Sequence, residues 1–180
     1  MKEKIKEYFK FTWRVTSAHV IAYFIAGIVA MNAFYNPETF SQDDPLFRSI
    51  TDPFLVLGGS VLQLIRGMVI ALVLLPIHKV FTEGKYGFLK LGLLMFGLTV
   101  LSTFAAPAAS IEGFIYTTRS LTDHLTSYPE AILWISLFVG ILWTLYKFEK
   151  KAISITVIIL LILTVFIGVA GYINVLQTGT

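Results

Sequence analysis

The sequence predicts an all-α polytopic membrane helix bundle of about five transmembrane helices, with the N-terminus cytoplasmic and an interfacial or re-entrant segment between helices 3 and 4. Three observations carry that prediction. The 180-residue chain is 56% hydrophobic and only 14% charged, with mean hydropathy +0.78, whereas a soluble domain carries about a quarter charged residues. Its apolar residues gather in runs near the roughly 20 helical residues that cross about 30 Å of hydrocarbon. Its basic residues fall on alternate connections between those runs. The whole chain, 1–180, reads as a single integral membrane domain.

Residues 1–11 read as a cytoplasmic amphipathic segment, because Ile5, Phe9 and Trp13 recur at i, i+4 and i+8. The stretch "MKEKIKEYFKFTWR" resembles the basic start of a signal peptide. The apolar run behind it is long, holds His19 and Tyr23, and lacks a small-x-small cleavage site, so a retained helix over about 12–33 is expected. Ala26 and Ala30 form a small-x-x-x-small packing spot on that helix.

The following loop repeats an N-cap and N1 proline signal at Asn36 and Pro37 and at Asp44 and Pro45, which predicts one or two short helical turns. Asp52 and Pro53 give the same signal at the start of the second span, about 53–78. Pro76 cannot donate to the Leu72 carbonyl, so the end of this span should bend. The third span, about 87–106, is closed by Pro107.

The loop "AAPAASIEGFIYTTRSLTDHLTSY" is too apolar for a simple solvated connection. Its first half, 108–117 with Ser110 near the start, has the character of an interfacial or re-entrant helix covered by the bundle. Ser127 and Glu130 form a capping box with proline inside it, opening the fourth span, about 129–147. Ser120 and Asp123 give another helix-start pattern just upstream. The fifth span, about 152–174, is apolar all round, which predicts a peripheral helix facing lipid or a partner subunit.

Charge sets the orientation. With the N-terminus inside, the cytoplasmic segments hold Lys2, Lys4, Lys6, Lys10, Arg14, Lys79, Lys85, Lys90, Lys147, Lys150 and Lys151, against Arg48 and Arg119 outside. This is a positive-inside pattern over short loops, placing the chain as a multi-pass protein of the cell membrane. It explains the basic pI near 9.1 by orientation and contact with membrane lipid, without nucleic acid.

One charge breaks the pattern. Arg66 lies in "QLIRGMVIA", thirteen residues from Pro53 and eleven from Ile77, so roughly 16–20 Å from either end of its helix. An arginine at that depth costs about 2.5–3.5 kcal/mol on insertion scales, so it should face the bundle interior. Gln63 and Gly59 share its helical face. Counting depth from the inner boundary places Tyr23, Thr99, Ser136 and Thr164 at its level, and none is a carboxylate. Three partners stay open: hydroxyls, Gln63 and backbone carbonyls with water; Glu112 carried inward by a re-entrant segment; or an external anion held by the bidentate guanidinium.

Other residues have simpler readings. His19 should bond a carbonyl and His78 should sit in the head-group region, so haem ligation by the two is not expected, nor is any other cofactor. Asp123, His124 and Ser120 lack the companions of a hydrolytic site. The absence of cysteine removes disulfides and thiolate chemistry, and Asp43 and Asp44 lack calcium-loop spacing. The leading expectation is a non-catalytic subunit or scaffold of a membrane complex, partnered by lipid and by another membrane protein or a second copy. A small transporter or lipid-binding protein using Arg66 as anion anchor, and an intramembrane enzyme, are the alternatives.

Overall fold

The structure is a computed structural model and describes residues 2–34, 52–58, 61–101 and 121–178. The described residues are helical: α1 (Lys2–Ala33), α2 (Pro53–Gly58), α3 (Val61–Leu74), a 3₁₀ turn (Leu75–Ile77), α4 (His78–Thr82), α5 (Gly87–Leu101), α6 (Leu121–Lys147) and α7 (Lys151–Thr178). Four stretches are long and apolar enough to cross a membrane: Lys2–Ala33, Val56–Thr82, Tyr128–Lys147 and Lys151–Gln177.

The amphipathic N-terminus runs straight into the first span as one helix, with Ile5 and Phe9 exposed. Pro76 sits in the 3₁₀ turn that interrupts the second span between α3 and α4, as its missing N–H dictates. The expected third span is represented by α5, whose 15 described residues fall short of the length of the other four. The fourth helix is described from Leu121 to Lys147 and carries Pro129 inside it, and its membrane-length apolar stretch, Tyr128–Lys147, falls at the expected fourth span. The short turns expected near Pro37 and Pro45, the 108–117 segment, and Pro107 lie outside the described residues.

Helix α1 is the axle of the bundle and packs against α3, α6 and α7. Every residue from Arg14 to Ala22 is buried. Ala18, Ala22, Ala26 and Ala30 are all buried at i, i+4 spacing, a small-residue face that lets neighbouring backbones approach where hydrophobic drive between helices is weak. Gly67 does the same from α3: a Cβ there would lie 3.0 Å from the Thr16 Cα and 3.3 Å from the His19 ring. On the α6 side, Trp134, Ile135, Phe138 and Leu142 fill the seam with Phe11, Val15 and Met95. Helix α7 contacts α1 and α2 mainly, and leaves Ile155, Ile159, Ile162, Phe166 and Ile173 exposed.

Ion pairs gather three connections at one end of the bundle. Lys10 Nζ and Arg14 Nη1 donate to Glu149 Oε1 at 2.7 and 3.1 Å. Arg14 is buried, with its guanidinium 4.4 Å from the centre of the Tyr146 ring. Glu149 adopts a left-handed φ of 40°, which is unusual for a side chain of its size and sits in the short link between α6 and α7. His78 Nδ1 lies 2.7 Å from the Leu75 carbonyl oxygen and Nε2 lies 3.0 Å from Glu7 Oε1, so the ring bridges the 3₁₀ turn and α1. The Lys10 ammonium, and after it the Arg14 guanidinium, hold the Glu149 carboxyl below its usual value.

Two stability predictions follow from this packing. Gly67→Leu should lower the melting temperature in mild detergent by the equivalent of roughly 1–3 kcal/mol, because the Thr16 backbone cannot retreat as a flexible side chain would. Gly97→Ala, where nothing lies within 4 Å of the new Cβ, should be neutral or slightly stabilising by helix propensity. The second concerns pH. A depressed carboxyl stabilises the fold above its usual value of 4.5 and loses that contribution as pH falls through the lowered folded value. Melting temperature should therefore fall more steeply in the wild type than in Glu149→Gln on acidification from about pH 5 to pH 3.

Candidate functional site

The polar interior is built around α1. Arg14, Thr16, Ser17 and His19 are buried, as are Gln63 and Thr164 facing in from other helices. Such groups are tolerated at membrane depth only where protein covers them. His19 is 0% exposed, enclosed by the rings of Tyr23, Trp134 and Phe138 at 5.9, 5.6 and 6.4 Å.

Gln63 fixes the state of His19. Its Nε2 donates to the Gly58 carbonyl at 3.0 Å, so its Oε1 is the acceptor turned toward His19. His19 Nε2–H then donates to that Oε1 at 3.0 Å, and the lone pair falls on Nδ1. The expected carbonyl partner of His19 is thus a side-chain one, reached across two helices. Among the described residues Nδ1 has no hydrogen-bond partner, and neither do Thr16 Oγ1 or Trp134 Nε1. Buried polar atoms ordinarily find a protein group or an ordered water, so this seam has unused hydrogen-bonding capacity.

Arg66 lies at the rim of this polar centre and not inside it: its side chain is exposed. The guanidinium lies 5.7 Å from the centre of the Tyr23 ring and 5.9 Å from that of Trp134, within cation–π range of both. Glu130, half-buried, lies one turn before Trp134 and so on the same side of α6.

The structure therefore brings together Arg66, Gln63 and Tyr23 from α3 and α1, and separates two other residues of similar depth. Thr99 Oγ1 donates to the Met95 carbonyl of its own helix at 2.7 Å. Ser136 is on the outward face of α6, lining open grooves. Glu112 and Gly59 lie outside the described residues. His19 and Trp134 are central, yet the sequence reading set His19 aside and did not weigh Trp134. The usable signal was the pairing of an imidazole and an amide in two otherwise apolar runs, since each needs a partner at its own depth.

Chemically, the rim offers a permanent cation beside a phenol ring and an indole ring, with the neutral His19–Gln63 pair buried behind it. A guanidinium is the side chain that takes carboxylates and phosphates in a bidentate fork. Among the described residues no three His, Asp or Glu side chains converge to hold a metal ion. Compared with known proteins, the chain matches no protein-family model, no curated protein and no solved structure.

The His19–Gln63 bond yields a prediction. Gln63→Leu leaves a fully buried N–H without an acceptor, which should cost about 1–3 kcal/mol of stability. His19→Phe combined with Gln63→Leu should cost less than the sum of the two single changes, because no polar group is then left stranded. Thermal unfolding of the four proteins in one detergent measures the coupling.

Proposed function

We propose that this is a non-catalytic, multi-pass protein of the cell membrane that binds an anionic ligand at Arg66. The observation that carries the reading is an exposed guanidinium in mid-helix, braced by the Tyr23 and Trp134 rings. Tyr23 stands nine residues beyond Arg14 and Trp134 thirteen before Lys147, so at 1.5 Å per residue the cation lies roughly 13–20 Å from the basic end, near mid-depth. An arginine at that depth is costly, and a ligand carboxylate or phosphate offsets that cost through a bidentate contact.

The topology proposed with it is five spans with the N-terminus cytoplasmic. Its support is the clustering of Lys10, Arg14, Glu7, His78 and Glu149 at one end through contacts between segments distant in sequence. Eleven of the fourteen lysines and arginines of the chain then fall on that side, as orientation by positive charge requires. A subunit or scaffold role is the second reading, favoured by the broad apolar face that α7 leaves uncovered.

The test uses Trp134 as reporter. In a background of Trp13→Phe and Trp143→Phe, its emission should shift on titration with inorganic phosphate or a dicarboxylate. Arg66→Gln should abolish the shift, and Arg66→Lys, lacking the fork, should weaken binding by roughly tenfold. Unchanged binding in Arg66→Gln would overturn the reading.

A further inference from the structure

An open groove with a cavity volume of ≈ 490 Å³ runs along the seam of α6 and α7, walled by residues that include Ser136, Gly140, Trp143, Ile153, Thr156 and Val157. Its surface is almost wholly apolar. Two of the three hydroxyls that line it are consumed by their own helices: Thr144 Oγ1 donates to the Gly140 carbonyl at 2.8 Å and Thr156 Oγ1 to the Ala152 carbonyl at 3.1 Å. Their methyl groups are left to the groove. Gly140 is exposed and a Cβ on it would meet nothing within 4 Å, so this wall of the groove opens onto free space. From Ser136 to Lys147 is eleven residues, or roughly 16 Å of helix, about half the thickness of the hydrocarbon core.

The mouth of this groove is basic. Lys147, Lys150 and Lys151 are exposed where α6 hands over to α7, and the Lys147 ammonium sits 4.4 Å from the centre of the Trp143 ring and 5.6 Å from that of Phe148. The one acid between these lysines is Glu149, and it is turned away to Lys10 and Arg14. Among the described residues none of the three lysines is ion-paired. An apolar channel one leaflet deep, ending at three uncompensated ammonium groups beside an interfacial tryptophan, has the chemistry of one kind of occupant.

We propose that the α6–α7 groove binds an anionic phospholipid, with an acyl chain lying along Gly140 and Thr156 and the phosphate held by Lys147, Lys150 and Lys151. This site is separate from Arg66 and does not depend on the ligand proposed there. Lysines near an anionic surface attract its lipids without any built site, so the groove must be tested apart from the charge.

The protein is reconstituted in nanodiscs of mixed phosphatidylglycerol and phosphatidylcholine, released into mild detergent, and its retained lipids are counted by native mass spectrometry. The wild type should keep phosphatidylglycerol in preference to phosphatidylcholine. Replacing Lys147, Lys150 and Lys151 with Gln should lower that retention by roughly tenfold or more. Gly140→Leu and Thr156→Phe, which fill the groove from its two walls and leave every charge in place, should each lower it severalfold. Brominated acyl chains should quench Trp143 emission in the wild type and not in the filled variants. Loss on removing the lysines with full retention in both filled variants would show diffuse surface attraction only and overturn the proposal. Equal retention in all variants would overturn it as well. Arg66→Gln should leave this retention unchanged, so failure here and failure at Arg66 are read separately.

Discussion

The bundle depends on covering the polar turns of α1. Nine consecutive residues, Arg14 to Ala22, are buried and include Arg14, Thr16, Ser17 and His19. In hydrocarbon such groups are tolerated only behind protein, so neighbouring helices must close on α1 from several sides. Helix α3 does so with two residues one turn apart. Gln63 brings an amide to His19, and Gly67 lets the backbones approach until the Thr16 Cα is in near contact. Together they fix the register of α3 on α1.

That register decides where Arg66 goes. Successive helical residues are about 100° apart, so with Gln63 and Gly67 committed to the α1 interface, Arg66 emerges at its edge. There the guanidinium meets Tyr23 of α1 and Trp134 of α6. At the basic end the α6–α7 link is held by the same helix: Glu149 takes a left-handed backbone and reaches Lys10 and Arg14. Both features of functional interest, the rim cation and the lysine-mouthed groove, are by-products of how other elements dock on α1.

Much of this architecture was legible. Run length and hydropathy found the long helices, Pro76 marked the interruption after Leu74, and the amphipathic start of α1 was visible as a spacing. The start of α6 was ambiguous because Ser120 and Ser127 offer the same capping chemistry, and a proline inside a helix has the same local pattern as one that opens it. The site was legible along the membrane normal and not around it. Counting residues gives depth, so Tyr23, Thr99 and Ser136 all fall near Arg66. The angle about each axis is set by side-chain periodicity, and α5 and α6 are too evenly apolar to display one. Thr99 instead bonds its own helix, and Ser136 faces outward.

The division between His19 and Arg66 carries a physical logic. The pair sealed in the core, His19–Gln63, is a neutral hydrogen bond, which avoids the desolvation that burying an ion pair entails. The permanent charge is left at the rim, where two aromatic faces return about 0.5–2 kcal/mol of an insertion cost of about 2.5–3.5 kcal/mol. A protein needing only a structural polar contact at this depth is served by the neutral pair alone. Arginine one position before Gly67 adds nothing to that contact; it sets a cation at the rim, and the proposed anion-binding role rests on that placement.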